Sequence, residues 1–205
     1  MKKMITVVLS VAVWLGFAGL VMAKSQMSVG VGVGMLSGSA KLEGGGSMTS
    51  TSPLLDLDLM FHRKVMTWGL GFRNRSAKSP IGDLKYNSAT VLLGYYSNKD
   101  KAKGLGWHIL GGIGVGSLSG VGSGYKTSEN AVNVEASVGL DMILHKYRDS
   151  AVRRPAADVL SLDVRAEGFG SNVLPKNATR NTKTQFLGTD NFGMSMKFTH
   201  YFALK

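Results

Sequence analysis

A period of two runs through most of this chain, and helical packing cannot satisfy it. Met27, Val29, Val31, Val33 and Met35 alternate with Ser28, Gly30, Gly32 and Gly34. A helix would scatter these side chains around its whole circumference, whereas a strand sorts them onto two faces. The pattern returns where Leu55, Leu57, Leu59 and Phe61 oppose Asp56, Asp58, Met60 and His62, and where Met66, Trp68, Leu70 and Phe72 oppose Thr67, Gly69, Gly71 and Arg73. Five more blocks follow, over 89–96, 107–116, 132–144, 160–167 and 192–202. Gly, Ser, Asn, Lys and Pro clusters separate them, and no block carries a 3.6-residue stripe. The chain is therefore read as all-β, with about eight antiparallel strands.

Alternation alone does not say which face is outside, since a soluble sandwich or lipocalin-like barrel alternates with its apolar face inward. Three features favour an apolar exterior. The polar face is rich in Gly and Ser with a few acids and bases, which suits a cramped lumen better than a solvated surface. About ten residues per strand, at roughly 3.3 Å each and tilted by about 40°, give roughly 25 Å of height, the thickness of an outer-membrane apolar band. Aromatic residues fall near strand ends, with Phe61, Tyr95, Trp107 and Phe202 towards one interface and Phe72 and Phe192 towards the other. A soluble periplasmic barrel is the structural alternative.

The first 23 residues have the form of an export signal. Lys2 and Lys3 precede an apolar run from Ile5 to Leu20, and Val21-Met22-Ala23 offers a small-residue cleavage site before Lys24. An uncleaved anchor is the competing reading of this long run, but the composition changes directly after Ala23. Two domains are expected, a signal peptide over 1–23 and a barrel over 24–205. Cleavage would lower the formal charge from +11 to +9 by removing Lys2 and Lys3. Cysteine is absent, so no disulfide, thiolate metal site or lipidated cysteine is available.

Connection lengths point to an orientation. The segments Ser37 to Ser52, Asn74 to Lys85, Leu118 to Asn130 and Gly170 to Asp190 read as long outer loops, and His62-Arg63-Lys64 as a tight turn. Both termini would then be periplasmic. The 145–158 connection is long for a periplasmic turn and fits least well. The loops over Lys41 to Ser52 and Gly170 to Asp190 are the expected contact surfaces for an extracellular ligand.

Near the C-terminus, Asn191, Gly193, Met196, Phe198, Tyr201 and Phe202 form a polar-Gly-alternating-aromatic pattern that resembles the final-strand signal presented to the barrel assembly machinery. It departs from the commonest form because Ala203, Leu204 and Lys205 follow Phe202. With the leader and the strand count, this resembles the small eight-stranded barrels of the OmpA transmembrane-domain and OmpX type. The resemblance implies a transmembrane up-and-down barrel in the bacterial outer membrane. It identifies no subfamily.

The inward set holds acids Asp56, Asp58, Glu135, Asp141, Asp163 and Glu167 and bases Arg73, Arg165 and Lys197. Such a set most simply plugs a narrow lumen with ion pairs, and a narrow porin-like channel is the alternative. Asp163, Arg165, Glu167 and Lys197, on sequential strands, are the expected core of the network.

No enzymatic role is expected. His62, His108, His145 and His200 all map to the periplasmic end, away from the outer leaflet where lipid A chemistry would occur, and no deacylase-like His-x-Ser pair is present. No metal site, cofactor or nucleotide loop is expected: no organised ligands accompany His62 and His108, and Gly111 to Gly116 lacks a following helix and a Lys-Ser/Thr. Asn177-Ala178-Thr179 matches a glycosylation sequon, but an N-glycan is not expected in this compartment.

Basic residues gather at both rims, with Arg73, Arg75, Lys78 and Lys85 at the outer one and Arg63, Lys64, Lys99, Lys101, Lys103, Lys146, Arg148, Arg153 and Arg154 at the inner one. These suit lipopolysaccharide phosphates and anionic phospholipids. Nucleic acid is not an expected partner, because it would leave the leader and the alternation without a purpose. The expected protein is a monomer with a structural or surface-interaction role.

Overall fold

The computed structural model describes residues 25–41, 47–79, 82–97, 104–122, 125–147, 156–169 and 191–202. Eight strands occupy them: β1 (Gln26–Lys41), β2 (Ser47–Arg63), β3 (Met66–Ser79), β4 (Gly82–Tyr96), β5 (Leu105–Gly122), β6 (Tyr125–Tyr147), β7 (Ala156–Phe169) and β8 (Asn191–Tyr201). Each pairs antiparallel with its sequence neighbours, and β8 closes onto β1 from Ser28↔Tyr201 to Gly38↔Asn191. The barrel is closed and up-and-down, and strand edges go unpaired only in the ribbons that run past it, such as 47–53 of β2 and 125–132 of β6.

Closure sorts the two faces as the period of two requires. Val31, Leu93, Ile113, Leu140 and Met194 point outward, and Leu140 leaves 65% of its surface exposed. Their strand neighbours Gly32, Leu92, Gly112, Gly139 and Ser195 lie on the inward face. An apolar belt of this extent is too large for a face turned to water, and the closed barrel pairs the backbone of the belt within the sheet. Phe61, Tyr95, Trp107 and Phe202 lie on the outward face at the end that carries both termini, with the Tyr95 and Trp107 rings 5.3 Å apart. Phe72 and Phe192 lie outward in the other half.

Several segments expected to be loops are strand. The β1–β2 ladder continues from Ser37↔Thr51 to Lys41↔Ser47, β3 pairs with β4 up to Ser79↔Gly82, and β5 with β6 up to Gly122↔Tyr125. Their Gly, Ser, Thr and Asn content reads as loop by composition, yet a hairpin ladder beyond the belt needs backbone pairing and not apolar side chains. Residues 37–41 and 47–52 thus belong to a β-ribbon; 42–46 and 170–190 lie outside the described residues, as does the expected signal peptide.

The two ends of the 145–158 region are also ladder, while 148–155 lie outside the described residues. β6 runs to Tyr147 and β7 begins at Ala156, with a register shift between Ile143 and His145. The extra residue sets His145 opposite Asp158 and Tyr147 opposite Ala156, on the outward side.

The tight turn between β2 and β3 is Lys64–Val65, one position later than the residues suggest, and Lys64 sits at φ 55°. A non-glycine side chain in the left-handed region costs roughly 1 kcal/mol. Lys64→Gly should therefore raise stability by up to about 1 kcal/mol, read as a higher urea midpoint for the refolded barrel.

Candidate functional site

The interior is a column of interlocking ion pairs. Its hub is Arg73 on β3, whose guanidinium lies 2.6 Å from Asp58, 2.9 Å from Glu135 and 3.3 Å from Asp56. Asp58 and Asp56 sit on the adjacent β2, while Glu135 sits on β6, across the lumen. Arg165 on β7 reaches Asp56 at 2.8 Å. Lys197 on β8 spans Asp58 at 2.6 Å and Asp163 at 3.1 Å. These contacts join five strands, and three of them, β3 to β6, β7 to β2 and β8 to β2, link strands that are not neighbours in the sheet. Arg73 can hold three acids at once because a guanidinium offers five donors in a fixed planar fork.

The network continues towards the termini through His108. Its Nδ1 is 2.9 Å from Asp141 and its Nε2 is 3.2 Å from Asp163, and Ser161 donates to Asp141 at 2.6 Å. His108, Gly139 and Asp163 share one row across β5, β6 and β7. A Cβ at Gly139 would collide with both the His108 ring and the Asp163 carboxylate, so only glycine lets the imidazole bridge to the second strand. Gly71 serves Arg73 similarly, since a Cβ there would lie 2.7 Å from the guanidinium nitrogens.

Beyond His108 the column becomes aromatic. Tyr96 stacks on His108 at 4.7 Å and meets His62 edge-on at 5.2 Å, while Tyr201 lies 4.9 Å from His62. Met60, Leu92 and Leu110 pack with Tyr96 into a small apolar cluster. Towards the opposite end, Arg75 pairs with Glu167 at 3.3 Å, donates to Ser52 at 3.0 Å and lies over the Tyr86 ring. Leu36 and Leu54 are fully enclosed.

All nine residues expected to face the lumen are buried there: Asp56, Asp58, Arg73, Glu135, Asp141, Asp163, Arg165, Glu167 and Lys197. Their partnering differs from the expected core. Asp163 and Lys197 do pair, but Arg165 goes to Asp56 and Glu167 to Arg75, and the hub is Arg73. Neighbouring strands do not decide partners here, because long side chains cross the narrow lumen. Arg73 and Arg75, expected at the outer basic rim, are both buried, because β3 extends well past Asn74.

His108 was absent from the expected network, and Ser28 and His62 meet at 2.7 Å although 34 residues separate them. Both are enclosed in the lumen. A glycine between an acid and a base in the same lumen row is the signal that could have found the His108 bridge.

The residues of the C-terminal pattern divide by face. Met196, Phe198 and Phe202 point outward, whereas Asn191, Gly193 and Tyr201 line the interior, with Asn191 donating to the Glu167 carbonyl at 3.2 Å.

No family model matches the chain, and no curated protein matches it. Among solved structures the chain is similar to neisserial surface protein A, with a TM-score of 0.52 and 12% identity over 85% of this chain and 95% of that one. The attachment invasion locus protein Ail of Yersinia pestis aligns with a TM-score of 0.47 and 16% identity, over 87% and 98% of the two chains. OprG from Pseudomonas aeruginosa gives 0.47 and 14%, over 87% and 97%. What is shared is the fold. The chain is a closed eight-stranded antiparallel β-barrel.

Removing one buried partner strands the others, which costs about 3 kcal/mol or more. Lys197→Met should therefore lower unfolding free energy in lipid vesicles by about 3 kcal/mol, as Asp58 and Asp163 lose a shared cation. Met196→Leu, one residue away but facing outward, should change it by less than about 1 kcal/mol. Urea titration followed by the heat-modifiable gel shift measures both.

Proposed function

We propose that this chain is a non-enzymatic outer-membrane barrel, exported with cleavage near Ala23/Lys24, that serves the envelope structurally and presents its extended hairpins for surface interaction. The observation that carries the reading is the closed interior, in which Arg73 ties three carboxylates across the lumen while the outward face is apolar. A channel needs a hydrated path, and this lumen is filled by ion pairs between its two enclosed ends.

In this reading the two-residue turn and both termini face the periplasm, and the ribbons of β1–β2, β3–β4 and β5–β6 project outward. The segment 170–190 adds a further outer surface for an extracellular ligand. Exposed Lys85 at that end suits lipopolysaccharide phosphates, and exposed Arg63, Lys64 and Lys146 at the other end suit anionic phospholipids. The final strand, with Met196, Phe198 and Phe202 aligned on one face, offers the assembly machinery an apolar ridge before β8 meets β1. Within the barrel, closure onto β1 leaves no edge for a partner strand, in keeping with a monomer.

The expected protein is a detergent-requiring, heat-modifiable band in the outer-membrane fraction that gives no stepwise conductance in planar bilayers. A soluble monomer after fractionation contradicts the membrane placement. Regular conductance steps contradict the plugged lumen and favour the narrow channel.

A further inference from the structure

On the outward surface, β6, β7 and β8 bring a carboxylate and two imidazoles into one register row, His145, Asp158 and His200. Oδ1 of Asp158 lies 2.7 Å from Nδ1 of His200, and its Oδ2 accepts from the Tyr147 hydroxyl of β6 at 2.9 Å. The rings of His145, Tyr147, His200 and Phe202 follow each other at 4.3, 6.4 and 4.8 Å.

The depth of this row follows from the stagger of the barrel. Continued around the sheet, the row passes Val29, Leu70 and Ile113 and meets β7 again at Gly168, ten residues above Asp158. Each strand along the row therefore stands slightly more than one residue higher than the last. With that offset removed, Asp158 is level with Met27 and Arg63 and just below Phe61 and Trp107. Leu160 and Leu162 on β7 and Phe198 and Met196 on β8 follow above it. The row thus lies at the edge of the apolar belt on the termini side, at headgroup depth, where a partly exposed carboxylate is tolerated.

The hydrogen-bonding capacity left over in the row is that of an acceptor. A carboxylate accepts at about four lone-pair positions, and Asp158 receives His200 and Tyr147 while keeping lone pairs open. Because a carboxylate only accepts, His200 donates from Nδ1, and in the neutral imidazole Nε2 is then an acceptor as well. The Tyr147 hydrogen is directed at Asp158, so its oxygen too is left to accept. A primary ammonium is the complement, with three N–H donors, no acceptor and a charge opposite to that of Asp158. Aromatic faces beside the carboxylate add to its attraction for a cation. Among the described residues no group of three His, Asp or Glu side chains is placed to hold a metal ion. Exposed Lys146 follows His145 at the same rim and suits the phosphate that accompanies an ammonium in a zwitterionic headgroup.

We infer that the outward Tyr147–Asp158–His200 cluster binds the primary ammonium of a phospholipid headgroup in the leaflet on the termini side, with Asp158 as the charged acceptor. The inference rests on the membrane placement proposed above.

Native mass spectrometry of the refolded barrel tests it, at about pH 8, where an ordinary imidazole is neutral. The probes are phosphatidylethanolamine and phosphatidylcholine of the same chains, both zwitterionic, of which the second has no N–H to donate. Wild type should retain phosphatidylethanolamine about tenfold more than phosphatidylcholine, the gain expected for one hydrogen bond to a charged group. Asp158→Asn keeps an acceptor for Tyr147 but removes the charge. It should retain the two lipids about equally, with an unchanged heat-modifiable shift confirming that the barrel is folded. Equal retention of the two lipids by wild type, or a preference that survives in D158N, overturns the inference. In detergent micelles, ethanolamine that moves the His200 ring resonances while phosphatidylethanolamine does not would overturn the lipid source. A barrel that fractionates as soluble fails the membrane reading instead, so the two failures are distinguishable.

Discussion

The Arg73 guanidinium is the point on which the rest of this barrel turns. It binds acids from β2 and β6 while belonging to β3, so it fixes the distance across the lumen as well as the register of neighbouring strands. Ordinary domains fill their centre with apolar side chains and leave charge outside. Here lipid removes the advantage of burying apolar groups inward, and the interior holds what lipid would reject. Among the described buried residues, six carboxylates face four permanent cations, Arg73, Arg75, Arg165 and Lys197, with His108 set between two of the acids. Burying such groups is tolerable only while each has partners, which makes the network all-or-none in character.

That interior also specifies the fold against its nearest competitors. Because side chains alternate strictly, a one-residue slip of any strand would turn its whole lumen set towards lipid. For β2 that means Asp56 and Asp58, and for β3 it means Arg73 and Arg75. A basic side chain at the midplane of a barrel costs about 2–4 kcal/mol, so each slip is opposed several times over. The glycines at 71 and 139 belong to the same logic. They give up packing so that the guanidinium and the imidazole can pass over a neighbouring strand.

The strand count, the two faces and the lumen residues were legible in the sequence because they depend on a local period. Partners were not. Arg165 with Asp56 and Arg73 with Glu135 meet across a curved sheet whose shear no residue spacing expresses. Arg75 was misread for a related reason: the sequence turns polar at Asn74, and polarity looks like a loop although the ladder runs on to Ser79. The His200–Asp158 contact escaped because Asp158 reads as part of the 145–158 connection, whereas β7 begins at Ala156. Sequence reasoning thus reached the faces of this barrel but not its chords.

The functional reading follows from the same asymmetry. In the reading proposed above, a lumen closed by charge leaves the outward surface and the projecting ribbons as the places where this protein can meet other molecules. A double-mutant cycle between Arg73 and Glu135, residues on strands that do not pair, tests the central claim most directly. Unfolding free energies in lipid vesicles should give a coupling of about 1.5 kcal/mol or more between Arg73→Met and Glu135→Gln. Losses that simply add, within about 0.5 kcal/mol, would show that the interior is a collection of independent side chains and would contradict the account.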